Sequence, residues 1–126
     1  MWVGSIWDTS RVAWLVSEAR VLAAADLASD RRSRRKGLLG RDHVDGAIVI
    51  EPCRWVHTVG MKFDIDVAHL DDDGRVIHVT TMRPHRIGRP VPKARTVIEA
   101  ERGAFARWGL HLGDVIEIRH TVDEDG

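Results

Sequence analysis

The most reactive stretch of the chain is Cys53-Arg54-Trp55-Val56-His57-Thr58-Val59-Gly60-Met61-Lys62-Phe63-Asp64-Ile65-Asp66, which places a thiol, an imidazole, a thioether and two carboxylates within fourteen residues. Gly60, in its middle, can take a backbone conformation closed to other residues. An imidazole titrates close to neutrality and a neighbouring carboxylate moves it further, so His57 with Asp66 is a candidate general acid/base pair. Cys53 precedes His57 by four residues, which allows a second arrangement, a thiolate with the imidazole as its base. Each has a structural counterpart: His57 and Asp66 can equally satisfy turn amides, and Cys53 can be an inert buried thiol. His57, Asp66 and Cys53 are therefore the candidate catalytic residues, and the sequence leaves open whether the protein is an enzyme, for instance a small hydrolase.

Two basic clusters point to a different chemistry. Residues 31–36 hold five basic side chains in six, and Arg83-Pro84-His85-Arg86-Ile87-Gly88-Arg89 forms a second cluster in a stretch stiffened by proline. Guanidinium groups bind phosphate or carboxylate through charge-assisted hydrogen bonds, and a proline-fixed loop loses less entropy on ordering around a ligand. The expected site lies where residues 57–66 meet residues 82–92. There Arg83, Arg86 and Arg41 contact a small anionic molecule, His57 and Asp66 orient it, and Met61 supplies an apolar wall. The competing reading makes the residue 31–36 cluster a solvated helix face and puts Met61, Phe63, Trp55 and Trp108 in the core. His57, Asp66, His85 and His111 form no paired-ligand spacing, so no metal site and no cofactor is expected. Asp71-Asp72-Asp73-Gly74 lacks the later acidic residue of a calcium loop and reads as a hairpin tip.

The elements that must position these groups are short. Residues 12–16 form a candidate strand, and residues 20–27 read as strand or short helix. Ser29 and Asp30 offer an N-cap to a helix over residues 31–39, which Gly37 or Gly40 can stop. β-branched runs at 47–50, 55–56, 65–70, 75–80, 96–100 and 115–120 read as strands, with an Asp-Gly hairpin between the third and fourth of these. Residues 82–92 contain three of the four prolines and one glycine and are expected to be an irregular loop. Residues 104–108 read as a turn or short helix. The fold class is mainly β (α+β), a compact antiparallel sandwich or barrel of short strands with one or two short helices. Residues 1–19 are an arm or edge strand, 20–120 a single β domain, and 121–126 a frayed tail. An arm carrying Trp2, Trp7 and Trp14 could also dock on a partner, which is the interaction-module alternative.

The string 53–66, together with Arg34…Gly37-Leu38-Leu39-Gly40-Arg41 before it and Glu99…Gly103…Gly113-Asp114 after it, resembles the family known as domain of unknown function 192. The resemblance runs from about residue 20 to residue 118. In the central motif His57, Thr58, Gly60, Met61, Phe63, Ile65 and Asp66 match, Lys62 replaces an arginine, and Asp64 stands where proline is common. The resemblance implies a compact, mostly β fold of about a hundred residues with one short helix. It implies no established activity and transfers no catalytic roles.

Composition sets the remaining bounds. The 126 residues carry 19 basic and 19 acidic side chains, and arginine outnumbers lysine 16 to 3 as a GC-rich coding sequence favours. Net neutrality, with no aromatic residue interleaved in the basic clusters, argues against nucleic acid as a partner. A single cysteine excludes an internal disulfide and fits a reducing compartment. No apolar run is long enough to span a bilayer, and the N-terminus lacks the basic start of a signal peptide. The expectation is a cytoplasmic protein with no membrane partner, a monomer or weak homo-oligomer.

Overall fold

A computed structural model describes residues 12–28 and 46–120. The helix expected over residues 31–39, Arg41, the Trp2 and Trp7 arm and the tail from residue 121 lie outside the described residues. Among the described residues seven strands follow in chain order: β1 (Val12–Ser17), β2 (Arg20–Ala28), β3 (Ala47–Ile50), β4 (Ile65–Leu70), β5 (Val76–Met82), β6 (Thr96–Glu101) and β7 (Glu117–His120). One helix, α1 (Ala104–Trp108), lies between β6 and β7.

The fold is mainly β, as expected. The strands form one sheet in the order β5-β4-β6-β3-β2-β1-β7. Two refinements follow. The sheet is mixed rather than wholly antiparallel, because β2 and β3 pair in parallel. Nor is it closed into a barrel: its two ends approach through an isolated bridge, Arg75 to Val115, and the main-chain hydrogen bonds of Gly74 and Val76 to residues 113–116 around it. That approach is close, since a Cβ on Gly74, whose φ is +83°, would sit 2.6 Å from the Ile116 carbonyl oxygen. Residues 55–56 do not form a strand, and His57 contributes a single bridge to Ile87.

The hairpin between β4 and β5 forms as its sequence predicts. The Asp71 carboxylate accepts the amides of Asp73 (2.9 Å) and Arg75 (3.0 Å), and Gly74 supplies the positive φ the turn needs. β4 and β6 occupy the middle of one half of the sheet, and β4 is buried throughout. Alternation on these strands builds two cores. Ala68, Leu70, Ile98 and Ala100 face the first, with Leu15, Val49, Phe105 and Leu110. Ile65, Val67 and Val97 face the second, with Ile48, Ile50, Val56, Met61 and Met82. The apolar residues of these strands thus have cover on both faces, and Asp66 and His69 on β4 and Thr96 and Glu99 on β6 are polar side chains buried among them.

Candidate functional site

The residues expected to do chemistry lie on the second face, in two irregular segments that zip together. Cys53 N–H donates to the Arg95 carbonyl (2.9 Å), Val91 N–H to Arg54 (2.9 Å), Gly88 N–H to Val56 (3.0 Å) and Thr58 N–H to Arg86 (2.8 Å). Trp55 adds its indole N–H to the Gly88 carbonyl at 2.8 Å. Residues 53–58 and 86–95 therefore run alongside each other like strands, although proline and glycine keep them out of the main ladder.

Thr58 is the keystone of this junction. It is fully buried, its hydroxyl donates to the Arg83 carbonyl (2.6 Å), and the same oxygen accepts the Arg86 amide (2.8 Å). Its carbonyl accepts the amides of Met61 (3.0 Å) and His85 (2.8 Å). The main chain of both arginines is thereby fixed from inside, while their side chains lie on the exposed surface.

Two imidazoles flank the turn that follows. Val59 N–H donates to His57 Nδ1 and Gly60 N–H to His85 Nδ1, both at 3.3 Å. His85 reaches this position with a φ of +63°, a conformation that non-glycine residues seldom adopt. Because each Nδ1 is an acceptor, the neutral ring carries its proton on Nε2, which is left as a donor. An Nε2–H suits an anion. A metal bound at Nε2 would require the opposite tautomer, with Nδ1 protonated and donating. Among the described residues no group of three His, Cys, Asp or Glu side chains converges as a metal-ligand set.

Asp66 is placed elsewhere. It is buried on β4, where one oxygen accepts the Thr81 hydroxyl (2.9 Å) and the other the amides of Gly103 (3.0 Å) and Phe105 (3.2 Å). Gly103 has no side chain to cap α1, so a carboxylate from a strand takes the cap's place at the positive end of the helix. Among the described residues no hydrogen bond joins Asp66 to His57, whose Nδ1 instead accepts the Val59 amide. Met61 is 4% exposed and packs in the second core. Cys53 is half-buried against the same core and donates its thiol to the Trp55 carbonyl at 3.3 Å. Of the expected site residues, the fold brings together His57, Arg83 and Arg86. It adds His85 and Thr58, which the sequence reading did not assign to these roles. The signal for Thr58 was its place between an imidazole and a glycine turn.

The same face also buries two titratable groups. Glu99 on β6 is 5% exposed, and desolvation pushes its carboxyl up to about 7. His69 on β4 is 3% exposed, neither ring nitrogen has a hydrogen-bond partner, and burial, then the nearby His78, lowers it to about 4. The His69 and His78 rings meet edge to face at 5.4 Å.

Comparison with known proteins agrees with this architecture. Residues 14–118 match the profile of the domain of unknown function 192 family, described as an uncharacterised ACR. A UPF0127 protein of Pyrococcus horikoshii is 40% identical over 62 residues, 49% of this chain and 54% of that protein. A UPF0127 protein of Pyrococcus abyssi is 39% identical over 62 residues, 49% and 53% of the two chains. The chain thus spans about half the length of the curated relatives it matches. Among solved structures, a protein of unknown function from Novosphingobium aromaticivorans DSM 12444 has a TM-score of 0.70 at 20% identity, covering 84% of this chain and 82% of its own. A Sinorhizobium meliloti 1021 protein, described as a candidate transcription regulator, has a TM-score of 0.69 at 21% identity, covering 85% and 92%. These likenesses are likenesses of fold.

Proposed function

The chain belongs to the domain of unknown function 192 family, and from its own geometry we propose that it binds a small anionic molecule on the surface where residues 57–61 meet residues 83–88. One observation carries this reading. The two segments that zip together, residues 52–63 and 82–95, contain Arg54, Lys62, Arg83, Arg86, Arg89, Lys93 and Arg95 and no aspartate or glutamate, in a chain whose charges balance overall.

Charge of one sign gathered on adjoining segments attracts a counter-ion, and guanidinium groups fixed at the main chain lose less freedom when they engage it. Arg83 and Arg86 supply the charge. His57 and His85 supply Nε2–H donors. Thr58, Asp66 and Met61 act beneath the surface, holding the turn, the helix and the core in place.

The test is calorimetric titration with pyrophosphate and citrate at low salt, comparing the wild type with the Arg83→Ala/Arg86→Ala variant. Binding should weaken at least roughly tenfold in the variant and also on raising ionic strength. Equal affinity in variant and wild type would sink the reading.

A further inference from the structure

On the first face of the sheet, opposite the surface just described, lies a cleft of about 370 Å³. It opens where β2, β3 and β4 end and β6 begins. α1 packs Ala104 and Phe105 into the same core from the other end of β6, so among the described residues the helix stoppers one end of the sheet and the cleft lies at the other. Mouths of curved sheets are favoured places for small ligands, and this volume falls in the range such ligands need.

The cleft has an apolar floor of Leu27, Val49, Leu70 and Ile118. Its rim is polar and mostly acidic. Glu51 stands at the end of β3, with one carboxylate oxygen 3.4 Å from the Thr96 hydroxyl that donates to it. The hairpin tip, Asp71 to Asp73, overhangs the mouth, against which Arg95 sets one positive charge and His120 an imidazole. Asp71 is committed to its own turn amides. Among the described residues of the rim, Glu51, Asp72 and Asp73 are the carboxylates left to face a ligand.

We propose that this cleft binds a small organic cation with an apolar body, an alkylammonium in its simplest form. The ammonium group sits at the Glu51 carboxylate and the hydrocarbon lies on the floor. Carboxylates at the rim of a low-dielectric pocket attract a cation, and the floor gains from covering its apolar surface. The site differs from the anion-binding surface in face, lining residues and sign of charge, so either can fail without the other.

The probes are n-hexylammonium chloride, sodium hexanoate and hexanol, three ligands of one length and three charge states, titrated into the full chain and followed by NMR shifts and thermal melting. Hexylammonium should bind saturably, with a Kd at or below about 1 mM, while hexanoate should show no saturation. Glu51→Gln should weaken hexylammonium binding at least fivefold, and Asp72→Asn/Asp73→Asn, on the exposed tip, should weaken it about twofold without touching the core. Hexanoate or hexanol binding as tightly as hexylammonium would overturn the proposal, as would unchanged affinity in both variants or the lack of saturation with every probe.

Discussion

Glu99 and His69 face the same side of neighbouring strands, since Glu99 is opposite Val67 and His69 opposite Val97 in the β4 to β6 register. Their pH dependences have opposite signs. Between its ordinary 4.5 and about 7, Glu99 holds a proton in the folded chain that the unfolded chain has released. Stability therefore falls as pH rises through this window, by about 3 kcal/mol in total at roughly 1.4 kcal/mol per pH unit. Between about 4 and its ordinary 6.5, His69 is neutral in the folded chain and protonated in the unfolded one. Stability from this group is complete above 6.5 and is lost as pH falls toward 4, again by about 3 kcal/mol. From 4.5 to 6.5 the two slopes oppose each other and nearly cancel. The cancellation is exposed by variants read as differences from wild type in urea unfolding, with tryptophan fluorescence as the probe. Glu99→Gln should gain about 3 kcal/mol relative to wild type between pH 4.5 and pH 7.5. His69→Phe should gain about the same relative to wild type as pH is lowered from 6.5 to 4. A Glu99→Gln difference that stays constant across the range would refute the reasoning, because it would mean that the folded and unfolded chains titrate Glu99 alike.

Two further perturbations test the framework around the candidate site. Thr58→Val keeps the shape of the side chain and removes the hydroxyl between Arg83 and Arg86, leaving an amide and a carbonyl without their partner. A loss of about 2 to 4 kcal/mol is expected in thermal or urea unfolding, and a loss below about 0.5 kcal/mol would show that water replaces the hydroxyl without penalty. Asp66→Ala removes acceptors from Thr81, Gly103 and Phe105 together and should cost a similar about 2 to 4 kcal/mol. Amide hydrogen exchange at residues 103–105 should accelerate more than exchange in β7, and uniform acceleration would argue against a cap at α1.

Much of the fold was legible because its signals are local. The β-branched runs of β3, β4 and β6 and the Asp-Gly turn at residues 71–74 announce themselves within a few residues. The hairpin between β1 and β2 does not. Its turn residues, Glu18 and Ala19, adopt φ values of 52° and 64°, yet neither belongs to the types that mark such turns. Whether β2 and β3 run parallel is likewise not encoded in either strand, since parallel pairing is set by the crossover between them. The site shows the same division. That residues 57–66 meet the proline-stiffened loop could be read from the glycine, the prolines and the charges. Asp66 could not be placed, because the amides it caps lie 37 and 39 residues away. His85 bonds an amide 25 residues before it, a separation at which sequence pattern carries no geometric information.

The arrangement of charge explains why the anion-binding reading centres on Arg83 and Arg86 rather than on all seven cations of the two segments. At one end of the zipper, Arg54, Lys93 and Arg95 line a groove of about 700 Å³ whose other wall is the hairpin tip with Asp71, Asp72 and Asp73. Positive charge there is already opposed within the chain, and the same tip overhangs the acidic cleft on the other face. At the far end, past Gly88, the segments contribute Arg83, Arg86, His57 and His85 and no carboxylate. A neutral protein can therefore present regions of opposite sign, because the strands that join them run through two apolar cores where, among the described residues, the buried titratable groups are Asp66, held by its hydrogen bonds at α1, and Glu99 and His69, whose charged forms burial disfavours. Burial in those cores penalises ionisation, so charges are pushed to the rims, where they are free to act on a ligand.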